Sequence, residues 1–205
     1  MKLRAIIPVK SLREGKGRLS TVLGGAERNA LNVELLDHTL SVTAAFPGAS
    51  RTIVVSPDRD VLDRAEAAGA QSLLDVAGDL NAALNCAAGH AADHGADGIL
   101  IVPVDLPWSK PGDLLALASC RHAVAIAPDR RGIGTNALYV APPDALPFRF
   151  GGDSFLAHLA EAQEAGLNAK ILTLPNLAFD IDTPDDYREW RRRDVTTPVN
   201  GILPD

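Results

Sequence analysis

The alternation of short apolar runs with helical patterns constrains the fold of this chain more than any other feature. Seven runs have the length and composition of buried strands, at residues 3–9, 51–56, 70–74, 98–104, 122–127, 136–141 and 170–174. Apolar residues recur at helical spacing at residues 26–46, 57–69, 79–94 and 153–165, and a last helix begins after Thr183. Strands that alternate with helices predict one α/β domain with a mostly parallel central sheet and helices on both faces.

This topology also indicates where a ligand binds. In open parallel sheets, ligands lie beyond the carboxyl ends of the strands. Those ends are predicted at Val9, Ser56, Val104 and Phe179. We therefore expect the functional residues in the segments that follow these four positions.

The charge and composition exclude several classes of function. The 205 residues carry 20 Lys and Arg against 26 Asp and Glu, a net charge of −6, whereas affinity for nucleic acid needs surplus Lys and Arg. No apolar run approaches the roughly 18 residues of a membrane span. The two cysteines have no metal-ligand spacing, so they indicate neither a zinc site nor a disulfide framework. We expect a cytoplasmic protein that binds neither nucleic acid nor membranes.

The domain organisation follows from where this periodicity ends. Residues 1–195 have the pattern of a single domain, whereas residues 196–205 contain Pro and Gly without any periodicity. We expect this tail to be irregular. The chain could form a homodimer in which this tail packs on the second copy.

A basic loop with two glycines follows the first strand. Residues 1–18 carry six basic side chains and one acidic side chain, a local net charge of +5. Gly15 and Gly17 let backbone N–H groups approach an anion, and Lys10, Lys16 and Arg18 add charge-assisted hydrogen bonds. The pattern favours a phosphate-binding loop over a merely solvated basic loop, although it matches neither the Walker nor the dinucleotide fingerprint.

Carboxylates follow two other strand ends. Asp105 comes directly after the most apolar strand, where it would either hold a cation or begin a turn before Pro107. Asp180 and Asp182 are one residue apart in an extended segment, so their side chains point to the same side. Because carboxylates without His or Cys suit Mg²⁺, this pattern predicts a magnesium site; the alternative is that the residues serve only turns and caps.

Two more segments carry polar or small residues at the ends of elements. Thr135 and Asn136 stand at the start of a strand, and Gly151 and Ser154 precede a helix. The N-terminal amides of that helix could hold an anion. N-capping is the plainer interpretation of Ser154, and Asp186 is expected to serve the positive N-terminus of the last helix.

Five motifs in this order resemble those of the CofC/FbiD family, the guanylyltransferases of deazaflavin coenzyme F-420 biosynthesis. They are residues 7–12 with 16–19, 103–107, 132–138, 150–155 with His158, and 180–186. The resemblance covers about residues 3–190. It implies a nucleotidyltransferase fold that is glycosyltransferase-A-like and Rossmann-like. It also implies an enzyme that transfers GMP from GTP to phosphoenolpyruvate, 3-phosphoglycerate or 2-phospholactate, with release of pyrophosphate.

The resemblance further implies roles for the residues singled out above. The triphosphate and the leaving pyrophosphate are assigned to Lys10, Lys16 and Arg18. Mg²⁺ is assigned to Asp105, Asp180 and Asp182. The guanine is assigned to the segment Leu80, Asn81 and Ala82. The acceptor acid is assigned to Thr135 or Asn136, together with Gly151 and Ser154.

One departure from the wider nucleotidyltransferases narrows this interpretation. Those enzymes carry a Gly-Gly-x-Gly loop after the first strand, whereas this chain has Val9-Lys10-Ser11-Leu12. Two alternatives stand beside the guanylyltransferase: an enzyme acting on a sugar phosphate or on molybdenum cofactor, and a non-catalytic nucleotide-binding homologue. The difference in this loop disfavours the first of them. Residues 150–155 are called the acceptor segment below. The acidic side chain of Asp153 in this segment leaves the choice among the three acids open.

Overall fold

The computed structural model describes residues 1–120 and 122–196, which contain seven strands and six α-helices. The strands are β1 (Leu3–Pro8), β2 (Thr52–Ser56), β3 (Gln71–Leu74), β4 (Gly98–Ile101), β5 (Val124–Pro128), β6 (Thr135–Val140) and β7 (Ala169–Ile171). The helices are α1 (Gly25–Thr43), α2 (Arg59–Ala67), α3 (Leu80–Asp93), α4 (Pro111–Ala118), α5 (Ser154–Glu164) and α6 (Pro184–Thr196).

All seven strands form one sheet in the order β3-β2-β1-β4-β6-β5-β7. The pairs β1–β2, β1–β4, β2–β3 and β5–β7 are parallel, and only β6 runs against its neighbours β4 and β5. The predicted fold class, a mostly parallel α/β sheet, is confirmed. The reversed strand matters for function because the start of β6 lies at the same edge as the ends of β4 and β5.

The helices cover both faces of the sheet, as the alternation along β1 requires. Ile6 packs with Leu84 and Ala87 of α3, whereas the next residue, Ile7, packs with Leu36 of α1 on the opposite face. Both isoleucines are fully buried. Burying such a side chain contributes about 1.5–3 kcal/mol, which explains why the central strands are apolar runs rather than alternating patterns.

Helix α4 is absent from the sequence-based prediction. Its start carries Pro111 at the first helical position and Asp113 two residues later, whose carboxylate accepts a hydrogen bond from the Lys110 amide at 2.9 Å. Leu114 and Leu117 are fully buried and belong to the same core cluster as β4 and β5 residues. This helix has only eight residues, too few to show a helical period in the sequence.

Several predicted elements are shorter than expected, among them the fourth strand and the first helix. The strand predicted at residues 98–104 ends its pairing earlier because Pro103 has no N–H to donate, although the Val102 amide still donates to Ile6 at 2.9 Å. The helix predicted at 26–46 ends at Thr43, and Phe46 already has an extended backbone.

The predicted tail, residues 196–205, lies outside the described residues except for Thr196, which is the last residue of α6 rather than the start of an irregular segment. Within the part of the chain that the structure describes, no helix is both long and apolar enough to cross a membrane.

Candidate active site

The candidate site lies where β1 and β4 end. The loop after β1 folds over this edge, and the segment from Val102 to Asp105 continues from β4. Residues 180–182 before α6 form the carboxylate segment. Its backbone pairs with the segment that follows β4, because the Ile181 amide donates to the Asp105 carbonyl at 3.0 Å. The topology therefore brings the carboxylate segment to Asp105, although the two are about 75 residues apart in sequence.

Lys16 stands between these carboxylates. Its Nζ lies 3.2 Å from Asp105 Oδ2 and 3.1 Å from Asp182 Oδ1, and its side chain is only 10% exposed. Burial by itself lowers the pKa of Lys16, but the charges of Asp105 and Asp182 outweigh it and raise that pKa. Lys16 is therefore held as a cation, and it is the cation that Asp105 contacts in this structure.

The loop that carries Lys16 is fixed by buried and partly buried polar contacts. Lys16 has a left-handed backbone with φ of 56°, and a short 3₁₀ turn, Gly17–Thr21, follows it. Asn32 of α1 donates to the Leu12 carbonyl at 2.7 Å, and Asp58 after β2 accepts from the Ser11 hydroxyl at 3.0 Å. Neither Asn32 nor Asp58 was predicted as a functional residue, although Asp58 follows one of the four expected strand ends.

A pocket of about 360 Å³ opens beside this loop. Lys10, Lys16 and Arg18 line it from the loop, and Asp182 lines it from the carboxylate segment. Arg18 is largely exposed and lies 3.7 Å from Asp182 Oδ2, and Lys10 is exposed. The structure thus brings the three predicted phosphate-binding side chains to one cavity.

Asp180 lies beside Asp105 and Asp182 and is partly buried. Burial and the charges of the other two carboxylates raise the pKa of Asp180 to about 6, while a hydrogen bond from Asn136 and the charge of Lys16 oppose the rise. The three predicted magnesium ligands therefore repel one another, and a further cation would relieve this repulsion.

The donor chemistry of this group fits Mg²⁺, which binds through one or two carboxylates together with substrate phosphates. Among the residues that the structure describes, no three His, Cys, Asp or Glu side chains form a ready cation cage. Lys16 holds two of the carboxylates instead. A metal at this place would need phosphate oxygens to complete its coordination.

Asn136 uses its amide to hold the carboxylate segment. Its Nδ2 donates to the Leu177 carbonyl at 2.8 Å and lies 3.3 Å from Asp180 Oδ1. Of the two residues left open for the acceptor, Thr135 rather than Asn136 faces the acceptor segment. The Thr135 amide donates to Ser154 Oγ at 2.8 Å, and Thr135 Oγ1 lies 2.9 Å from Nδ1 of His158.

The acceptor segment differs from the N-capping interpretation. Asp153 occupies the position before α5 in a left-handed conformation, and its side chain makes no capping hydrogen bond. Ser154 Oγ accepts from Thr135 rather than capping the helix. Gly151 has φ of +134°, a conformation that side chains rarely adopt, so this turn needs glycine.

Asn81 joins the predicted guanine segment to the acceptor segment. Its Nδ2 donates to the Phe150 carbonyl at 3.0 Å, and its Oδ1 accepts from the Phe150 amide at 2.7 Å. These two bonds use one of the two N–H groups of the Asn81 amide and one lone pair of its oxygen. Of its predicted partners in guanine binding, Leu80 and Ala82 are exposed at the start of α3.

A stack of aromatic and guanidinium groups lies behind the carboxylates. The rings of Trp108 and Phe179 stack at 4.1 Å, and each is covered by an arginine, Arg193 at 4.3 Å and Arg130 at 5.1 Å. Glu189 pairs with both arginines. Trp108 follows Asp105 by three residues and Phe179 precedes Asp180, so the stack joins the two segments that carry these carboxylates. Phe179, predicted as a strand end, lies outside the seven strands. No pattern in the sequence predicts this contact.

Asp186 serves the start of α6, as predicted. Its Oδ2 accepts from the amide of Thr183 at 2.7 Å and from the amide of Asp182 at 3.2 Å, and Arg130 also pairs with it. Burial opposes ionisation, but these hydrogen bonds and the charge of Arg130 hold the pKa of Asp186 below its ordinary value. Asp186 thus holds the backbone of Asp182 in place.

The chain resembles known proteins over almost its whole length. Residues 3–191 match the family described as "Guanylyl transferase CofC like". A phosphoenolpyruvate guanylyltransferase of Sphaerobacter thermophilus is 42% identical over 187 residues, covering 90% of both chains. A 3-phospho-D-glycerate guanylyltransferase of Colwellia psychrerythraea is 33% identical over 189 residues, covering 91% of this chain and 90% of that one.

Solved structures share the fold at low identity. A protein from Desulfovibrio desulfuricans has a TM-score of 0.78 at 19% identity, covering 96% of this chain and 89% of that one. A CMP:2-keto-3-deoxy-manno-octonic acid synthetase in complex with CTP has a TM-score of 0.61 at 15% identity, covering 95% of this chain and 99% of that one. The shared fold and the family match over residues 3–191 lead to one conclusion: this chain belongs to the family of CofC-like guanylyl transferases.

Proposed function

We propose that this chain transfers GMP from GTP to a small phosphorylated C3 carboxylic acid and releases pyrophosphate. The observation that carries the proposal is the cluster of Lys16, Asp105 and Asp182 beside a basic pocket, which Lys16 and Asp182 line. Relatives that cover nine-tenths of the chain are named for phosphoenolpyruvate and for 3-phospho-D-glycerate. These two acids and 2-phospholactate are the acceptors to test.

The basic loop would bind the triphosphate. An ammonium has three N–H donors, and the carboxylates use two of those of Lys16, which leaves one for a phosphate oxygen. Lys10 and Arg18 are exposed and line the same pocket, so they are free to turn toward the β- and γ-phosphates. Positive charge here stabilises the pyrophosphate as it leaves.

Asp105, Asp180 and Asp182 would hold Mg²⁺ together with oxygens of the triphosphate. When bound, the ion would neutralise charge on the phosphates. Lys16 already performs part of that neutralisation for the carboxylates, so the two cations would share the three acids. Asn136 keeps Asp180 oriented, and Asp186 keeps Asp182 oriented.

The acceptor would lie against Thr135, Gly151 and Ser154, next to the start of β6. A phosphate oxygen of the acid attacks the α-phosphorus of GTP, and the bond from that phosphorus to the β-phosphate bridging oxygen breaks, its electrons leaving with pyrophosphate. The nucleophile is already an anion, so no side chain has to remove a proton. Catalysis then consists of positioning and electrostatic stabilisation.

The test is pyrophosphate release from GTP in the presence of Mg²⁺ and each acid separately. We expect release with at least one of the three acids and none without an acid. The Asp105→Asn variant should lose at least 100-fold in kcat, because it removes one of the charges that bind the cations. Asp185→Asn is the matched control, since Asp185 is exposed and pairs only with Arg188 among the contacts described.

No release with any acid, or equal activity of both variants, would overturn the proposal. CTP and UTP in the same assay separate it from an enzyme that acts on a sugar phosphate or a molybdenum cofactor. Participation in coenzyme F-420 assembly, a cytoplasmic location and a homodimer stay predictions from the sequence. Sedimentation of the purified protein tests the last of these.

A further inference from the structure

His158 lies beneath the acceptor segment, and the proposed function gives it no role. Its side chain is fully buried and meets the ring of Phe150 edge-on at 4.8 Å. Both ring nitrogens have partners: Nδ1 is 2.9 Å from Thr135 Oγ1, and Nε2 is 3.0 Å from the backbone nitrogen of Arg149. A buried histidine held at both nitrogens has a defined arrangement of hydrogens.

The backbone partner decides which nitrogen carries the hydrogen. The Arg149 amide can only donate, so Nε2 has to accept and cannot carry a hydrogen. In a neutral ring the hydrogen is then on Nδ1, which has no lone pair left, so Thr135 Oγ1 at 2.9 Å cannot donate to it. Burial lowers the pKa of His158 to about 4, against the charge of Glu161 and a hydrogen bond with the backbone of Ser154, so the ring is neutral at pH 7.

This arrangement fixes the direction of two hydroxyl groups. Toward His158, Thr135 Oγ1 can only accept, and Ser154 Oγ accepts from the Thr135 amide at 2.8 Å. The contacts of the described residues supply no protein acceptor for the hydrogen of either hydroxyl. Both hydroxyls are therefore left as donors, which suits a group that has only lone pairs to offer, such as an ionised carboxylate or phosphate.

We propose that His158 is a positioning residue that turns the Thr135 hydroxyl into a donor toward an anionic oxygen of the acceptor acid. The proposal rests on the proposed function for the identity of that acid. It predicts that His158 affects the acceptor and not GTP, because the phosphate-binding loop belongs to a different part of the site. The ring itself never touches the substrate.

The arrangement of hydrogens can be tested without activity. Two-bond ¹H–¹⁵N correlation spectra of histidine-labelled protein show which nitrogen of each of the five histidines carries a hydrogen. We expect a neutral Nδ1–H ring at pH 7 whose signals disappear in His158→Gln. A ring at this position that is charged, or that carries its hydrogen on Nε2, would overturn the proposal.

The kinetic test uses two replacements of His158, each of which keeps the hydrogen-bonding group of one ring nitrogen. Asn can place an amide donor near Nδ1, whereas Gln can place a carbonyl acceptor near Nε2. We expect His158→Gln to raise the KM of the acceptor about tenfold with an unchanged KM for GTP, and His158→Asn to stay within threefold of the wild type. His94→Gln, on the surface, is the control.

A double-mutant cycle shows whether His158 acts through Thr135. If it does, His158→Gln adds less than twofold to the acceptor KM of Thr135→Val. Additive effects, equal effects of the Gln and Asn variants, or a parallel rise in the KM for GTP would overturn the proposal. If no acid supports pyrophosphate release, the proposed function fails by itself. Calorimetric binding of phosphoenolpyruvate to the same variants and the spectra then still decide the role of His158.

Discussion

Asp180 is predicted to destabilise the protein in the absence of metal and substrate. Its carboxylate is packed beside those of Asp105 and Asp182, and its pKa is raised to about 6 from the ordinary 3.8. Each pKa unit corresponds to about 1.36 kcal/mol, so keeping Asp180 ionised above pH 6 costs at most about 3 kcal/mol. Asn at this position keeps an oxygen for the Asn136 amide and removes the charge.

The sign of the pH dependence follows from proton binding. Between about pH 4 and pH 6 the folded chain holds a proton on Asp180 that the unfolded chain has lost, so stability falls as the pH rises through this range. Above pH 6 the cost is complete and constant. Asp180→Asn should therefore stabilise the protein by about 1–3 kcal/mol at pH 8 and by almost nothing at pH 4.

Thermal unfolding followed by far-UV circular dichroism, without divalent metal, measures this difference. At about 2–4 °C per kcal/mol for a chain of this size, Tm should rise by several degrees at pH 8. Asp185→Asn, which removes an exposed carboxylate, should leave Tm nearly unchanged at both pH values. A gain for Asp180→Asn that is the same at pH 4 and pH 8, or a loss at pH 8, would refute the electrostatic reasoning. The variant should also lose activity, so stability and function oppose each other here.

Three more substitutions test other parts of the site. Lys16→Met removes the ammonium from two carboxylates. We expect kcat/KM to fall at least 100-fold and the free energy of unfolding, measured in urea at pH 7, to fall by about 1–3 kcal/mol. This loss is smaller than for a fully buried pair because Asp182 is 41% exposed. Asn81→Ala breaks both bonds to the Phe150 backbone; the KM of the acceptor should rise several-fold, whereas an unchanged KM would separate the two segments. Gly15→Ala places a Cβ 2.6 Å from Asn32 Nδ2, so the loop must shift; calorimetry should show weaker GTP binding, and wild-type affinity would contradict the rigid loop.

The sequence predicts the sheet well because burial on both faces of a strand requires a run of consecutive apolar residues. β1, β2 and β4 are covered by helices on either side, so their residues have to be apolar without interruption. The same reasoning fails for α4, whose eight residues are too few to display a helical period. Order along the chain also says nothing about β6 lying between β4 and β5.

For a related reason, the sequence predicts which residues gather at the candidate site better than it predicts their contacts. A loop that carries Lys10, Lys16 and Arg18 can be recognised because charge and glycine are concentrated in a short segment. Asn81 is predicted to face the guanine, and the sequence offers no sign that its side chain also bonds the Phe150 backbone. Partners that are far apart in sequence leave no local pattern.

The sequence by itself determines the α/β class, the edge of the sheet at which function resides, and the types of charge gathered there. These follow from residue types and their local spacing. The tertiary structure alone decides that Lys16 is the cation between Asp105 and Asp182, and that His158 contacts the Thr135 hydroxyl. Such contacts depend on how strands are ordered in the sheet, because that order sets which distant side chains meet and which of their hydrogens remain free.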